Sequence, residues 1–317
     1  MLVRKCPRRA KTGPAGKTGN RMSVLTTRQA TIAGLIPLLP AITAALSFSV
    51  TDILLKVVYN SGMDVLTLVS LRGMLVVSFF WVWLRVAPPI IRHPPRQRRI
   101  AILLGLLFAG VMLGLVAAVA LLPVSIAILA YFIYPLLTGI GAALTGLERL
   151  GWRALLAALA AFAGLALMLG VNLATLAPLG LASAFAAAVC RVVSLLATRA
   201  YLNGTDARLT TWYSMVPSTL LFVILWITLG GWHPPQTQAG WIAFVVVSLF
   251  STLSTLLIYI STNTVGPFRT AFAMNLEPLV TALASVWLLG EVFTPLQALG
   301  AGVMIASLCA FQFVRAR

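Results

Sequence analysis

Ten apolar stretches of about 20 residues, separated by short polar loops, leave this chain few architectures. A helix rises about 1.5 Å per residue, so each stretch matches ~30 Å of hydrocarbon. In lipid every backbone N–H and C=O must be satisfied internally, and uninterrupted apolar runs of this length specify helices. The expected spans are 36–58, 65–85, 100–121, 124–145, 152–171, 178–200, 209–230, 241–262, 268–289 and 295–314, with Pro88-Pro89, Pro94-Pro95 and Pro234-Pro235 marking turns. Only 9% of the residues are charged and mean hydropathy is +1.00, far from a soluble domain. The expected fold class is an all-α membrane protein with ten transmembrane helices.

A net charge of +17 would ordinarily suggest nucleic acid as a partner, but the basic residues sit in loops. With the N-terminus inside, twenty Lys and Arg fall on inner segments and none on outer loops. Lys56, Arg72 and Arg191 lie within spans. That asymmetry is the positive-inside rule, so the reading is a multi-pass inner (plasma) membrane protein with both termini cytoplasmic and no nucleic-acid partner. Residues 1–31 are basic, lack an apolar run and are read as a disordered cytoplasmic tail. Three spaced cysteines and two distant histidines offer neither a disulfide framework nor a metal site, and no cofactor is expected.

The chain also repeats itself. Pro135 and Pro278, Thr138 and Thr281, and Glu148 and Glu291 are each 143 residues apart, while Gly62-x-Asp64 recurs 142 residues on as Gly204-x-Asp206. Residues 32–171 and 178–314 are therefore read as two copies of a five-helix unit. Five crossings are odd, so the second copy runs through the membrane in the opposite sense. Inverted repeats of this kind are found in secondary transporters, with the substrate site near the midplane between the halves. Two five-helix repeats with Pro278…Leu289-Gly290-Glu291 and its weaker partner Pro135…Gly146-Leu147-Glu148 resemble EamA-like proteins of the drug/metabolite transporter superfamily. The segment Asn275-Leu276-Glu277-Pro278 is similar to one in its amino-acid and metabolite exporters. The resemblance implies secondary transport, often export, of a small molecule.

Five charges lie inside spans, where burying each in hydrocarbon costs at least ~2.5 kcal/mol. Glu277 shares a narrow small or polar stripe with Thr270, Ala273, Thr281 and Ser285. Arg191, at similar depth, heads a second such stripe. The two are read as facing one midplane cavity, binding the ammonium and the carboxylate of a zwitterion. The competing readings are a proton-carrying Glu277 and a static ion pair. Tyr134 is the positional counterpart of Glu277, and Tyr131 shares its face. Ser248, Thr252, Thr255, Tyr259 and Thr262 form a hydroxyl stripe that either lines the cavity or hydrogen-bonds across helices. Asp52 and Arg72, each about 10 Å below the outer surface, are expected to interact as a clamp or an outer gate, with Lys56 pairing there or snorkelling outward. Pro135 and Pro278 are expected to bend two helices flanking the pathway. Glu148 and Glu291 read as structural, and spans 5 and 10 as scaffold or a homodimer surface.

The function expected is an exporter of a small polar or amphipathic metabolite working by alternating access, driven by an ion or proton gradient. The alternative is a passive pore or lipid-moving protein. Hydrolase and metalloprotease motifs do not appear. Topology is open to direct test: a reporter active only in the cytoplasm should be active when fused after Arg317, and a periplasm-only reporter silent there. The reverse result would overturn the orientation.

Overall fold

The computed structural model describes residues 36–89, 91–170, 177–289 and 293–313, without the side chains of 288, 289, 312 and 313. The 1–31 tail and Glu291 lie outside them. The described residues form helices throughout: α1 (Leu39–Asn60), α2 (Val65–Val86), α3 (Pro95–Leu121), α4 (Val124–Tyr131), α5 (Tyr134–Leu144), α6 (Trp152–Met168), α7 (Pro178–Tyr201), α8 (Ala207–Leu229), α9 (Gln238–Thr264), α10 (Pro267–Ala273), α11 (Leu276–Leu289) and α12 (Pro295–Phe313). Seven described segments are long and apolar enough to cross a bilayer, α4 and α5 counting together as one; α6 and α12 are shorter apolar helices.

Local chemistry sets the boundaries. Gly62 and Gly204 adopt φ of +89° and +75°, a conformation that favours glycine, and each is followed two residues later by a capping aspartate. Asp64 Oδ2 accepts from the Leu66 and Thr67 amides at 3.0 and 3.2 Å, and Asp206 Oδ1 accepts from the Arg208 amide at 2.9 Å. Thr294 and Gln297 exchange hydrogen bonds at 2.9 and 3.3 Å, a capping box that opens α12.

Two helices are interrupted rather than bent at their prolines. The breaks fall between Tyr131 and Tyr134 and between Ala273 and Leu276, so Pro135 and Pro278 sit in the first turn of the following helix. A first-turn proline has no N–H to lose, which is why the second segment starts there instead of kinking later. At the second break the Asn275 side chain donates to the Phe272 carbonyl at 3.0 Å.

Small residues let the helices approach closely. A side chain at Gly114 would lie 2.8 Å from the Ser183 carbonyl, where α3 packs on α7, and one at Gly164 would lie 2.8 Å from the Gly300 carbonyl, where α6 packs on α12. Ala44 and Ala45 play this part for α1 against α9, with Ser254 donating to the Ala44 carbonyl at 2.9 Å. The helices α6 and α12 thus pack face to face.

The principal contacts survive exchange of the halves: α1 on α9 answers α7 on α3, α1 on α11 answers α7 on α5, and the pairs α2–α8 and α6–α12 map onto themselves. The largest exception lies at the end where loops 87–89, 145–151 and 202–206 lie. There α3 packs along α8 and α10 reaches α5 and α7, whereas α9 touches α2 only briefly.

Hydrogen bonds tie that end together, three of them across the halves. His93 pairs with Thr210 at 2.9 Å, and Arg208 donates to the Ala87 carbonyl at 3.2 Å while its guanidinium stacks 5.4 Å over Trp83. Arg199 donates to the Asn263 carbonyl, and Glu148 accepts from the Phe268 amide at 3.0 Å. Burial pushes the Asp206 carboxyl up, but hydrogen bonds from Arg208 outweigh it and hold the group below the usual carboxylate range. Burial raises the Glu148 carboxyl despite the bond from Phe268.

The tightest point of this seal is Gly105, where an added Cβ would fall well inside contact distance of the Ser214 carbonyl and 2.7 Å from Pro217. Gly105→Val should force α3 off α8 at an overpacking cost of about 1–3 kcal/mol. A clear fall in the melting temperature of the detergent-solubilised protein is expected, and an unchanged one would show that the contact is dispensable.

Candidate functional site

A cavity of about 530 Å³ lies between the halves, walled by α1, α2, α3, α4, α5, α7, α8, α9 and α11. It reaches Tyr59 and Val65 beside the α1–α2 turn and Val119 and Val124 beside the α3–α4 turn, which is its mouth. The floor is the α3–α8 seal. Buried Leu104, Leu202 and Tyr259 pack together there, and a pocket of about 10 Å³ below Arg191 is no larger than one water.

Four charged side chains line the cavity: Asp52 from α1, Arg72 from α2, Arg191 from α7 and Glu277 from α11. Among the described residues no two of them form an ion pair; the salt bridges are Arg208–Asp206 and His233–Asp64. The expected Asp52–Arg72 pair is not made. Asp52 is turned toward α11, where its Oδ2 accepts from Thr281 at 3.3 Å, and Arg72 lines the cavity from α2. Lys56, four residues after Asp52, is exposed and makes no ion pair either. The Arg191–Glu277 pair is likewise not formed, although both groups face the same space.

The walls differ in chemistry. On one side α1 and α11 bring Asp52, Thr281 and Glu277 together, with Ser49 donating to the Glu277 carbonyl at 3.0 Å. On the other, the Arg191 guanidinium lies 5.9 Å over the Tyr134 ring, and the Tyr131 ring packs tilted against Tyr134 at 5.1 Å. These contacts occupy equivalent places in the repeat: Ser49 and Glu277 stand where Arg191 and Tyr134 stand in the other half. Arg191 Nε is buried without a hydrogen-bond partner, an expensive state for a cation unless a ligand answers it.

The hydroxyl stripe divides between its two readings. Thr252 and Thr255 line the cavity with Ser251, a residue outside the expected stripe. Ser248 turns back to the Phe244 carbonyl at 2.7 Å, and Thr262 is buried away from the cavity. Tyr259 lies outside the main cavity: it is 6% exposed, packs beside Ala101 and Leu104 and lines the small pocket with Arg191 and Thr255. Sequence reasoning also missed the apolar walls, including Phe48, Phe108, Met112, Leu115 and Phe222. Nothing in their pattern separates a cavity-facing apolar side chain from one facing lipid.

The geometry defines a membrane protein that encloses an amphipathic chamber between two related halves. Comparison with known proteins agrees. A model of the EamA-like transporter family matches residues 35–170 and 178–311, one match per half, and the chain belongs to that family. A crystal structure, described only as that of a protein, is similar at 19% identity with a TM-score of 0.72, covering 86% of this chain and 95% of that one. At such identity it shows the fold alone. No curated protein matches the sequence.

Accessibility can be checked by labelling. In a background without native cysteines, Val69→Cys on the cavity wall should react quickly with a membrane-impermeant maleimide, and Leu104→Cys in the floor should not. Equal reactivity would contradict a cavity open at one end.

Proposed function

We propose that this protein is a secondary active transporter that exports a small amphipathic metabolite across the inner membrane by alternating access. In this reading ten crossing segments form two oppositely oriented halves, with α4–α5 and α10–α11 each counting as one interrupted crossing. The exchangeable helix contacts and the matching breaks before Pro135 and Pro278 support that arrangement. Arginines 85, 92, 96, 98, 99, 149, 199 and 208 gather at the floor end, so the positive-inside rule makes the floor cytoplasmic and the mouth outward-facing.

The observation that carries the reading is the set of unpaired charges in one chamber. A static clamp would neutralise them internally, since an uncompensated buried charge costs several kcal/mol. Left open, they suit a ligand that brings the complementary charges. Arg191 would take a carboxylate, helped by Tyr131 and Tyr134, and Glu277 an ammonium, with Thr281 and Thr255 as hydrogen-bond partners. Apolar walls would hold the rest of the molecule. When empty, Glu277 is also the group suited to carry a proton back, which would couple export to the proton gradient. A channel-like pore would leave the α3–α8 seal without a purpose.

Glu277→Gln and Arg191→Gln should each lower saturable counterflow in proteoliposomes by about 100-fold or more, the scale of losing a buried charged contact. Insertion and melting temperature should be retained. Full activity in Glu277→Gln would remove that carboxylate from the mechanism, and unsaturable flux would favour the pore.

A further inference from the structure

Two of the four cavity charges have no part in the transport reading above, and their position gives them one. Depth below the mouth follows from helix position at about 1.5 Å per residue. Arg191 is thirteen residues into α7, whose Gly180 packs on Leu122 at the mouth end, and Glu277 is twelve from the end of α11. Both lie about 18–20 Å down. Arg72 is seven residues into α2 and Asp52 eight from the end of α1, so both lie about 10–12 Å down. The Asp52–Thr281 hydrogen bond gives the same order independently, with an offset of about 6 Å, because Thr281 is one helical turn nearer the mouth than Glu277.

The chamber therefore holds two layers, each with one guanidinium and one carboxylate, about 6–8 Å apart. Each layer offers the same complement to an α-amino-acid head: a planar fork for a carboxylate and an acceptor for an ammonium. Between the layers stand Val76 from α2 and Met112 from α3, an apolar sleeve with Thr219 of α8 beside α2. The free space, about 530 Å³, exceeds what a single small head requires.

We infer that the chamber is built for a double-headed ligand, a molecule with a zwitterionic amino-acid head at each end of a short apolar spacer. The inner head would sit on Arg191 and Glu277, the outer head on Arg72 and Asp52, and the spacer against Val76 and Met112. The inference rests on the proposed transport reading for its inner head and adds the outer subsite. It also gives the unpaired Arg72 a use in the open state, which a gate that merely parts does not.

Binding to the purified full-length protein distinguishes these readings with three probes: 2-aminoheptanoate, which has one head, and 2,6-diaminoheptanedioate and 2,8-diaminononanedioate, whose two heads are about 5 and 7.5 Å apart. The double-headed probes should bind at least ~10-fold tighter than the single-headed one, the scale of one added charge-assisted contact. Arg72→Gln and Asp52→Asn should each collapse that ratio toward one, whereas Glu277→Gln should weaken all three. Measuring the ratio in each variant guards against loss of folded protein, which lowers active fraction but not the ratio. Equal affinity for one and two heads, or uniform weakening in Arg72→Gln, would overturn the outer subsite and leave the transport reading standing. Failure of every probe to bind would overturn the inner zwitterion site with it.

Discussion

Burying a charge is costly unless something answers it, and in this protein four charged side chains face one chamber without neutralising one another. Asp52, Arg72, Arg191 and Glu277 share one chamber without pairing among themselves. Each is carried on a different helix, so the helices keep opposite charges apart by their own packing. That packing is rigid because it is made of small residues: Gly114 on α7, Gly164 against Gly300, and Ala44 under Ser254. Close backbone contact outside the chamber is what allows open space inside it.

The same small residues place the seal. Gly105 admits the backbone of α8, and the hydrogen bonds of His93, Arg199, Arg208 and Glu148 stitch the loops beneath it. Equivalent helices at the mouth, α2 and α9, scarcely meet. Two similar halves are thus in two different relations, closed at one end and open at the other. In the proposed transport function, alternating access would exchange these two relations between the ends.

Much of this was legible in the residue pattern. The 143-residue spacing of Pro135 and Pro278 marked equivalent helix breaks, and the two Gly-x-Asp turns marked equivalent helix starts, because backbone geometry at a turn or cap is dictated locally. An intramembrane Glu277 with small neighbours marked a polar face, since hydrocarbon excludes such a residue from any other surface. The reading failed where it needed distances between helices. Equal depth suggested that Asp52 meets Arg72, yet rotation of α1 sends Asp52 to Thr281. Helical spacing put Tyr259 on the cavity stripe, and the packing of α3 and α9 leaves it in a small pocket below Arg191 rather than in the main cavity.

Sequence by itself determined that this chain is helical, membrane-embedded and doubled, and which side chains lipid would not tolerate. Hydropathy, charge placement and capping are properties of short segments, and they act before any helix meets another. Only the tertiary structure decided which of those charges stay unpaired, which apolar residues face the chamber rather than the lipid, and which end is shut. Those outcomes depend on the rotation and separation of whole helices, set by contacts between residues more than a hundred positions apart.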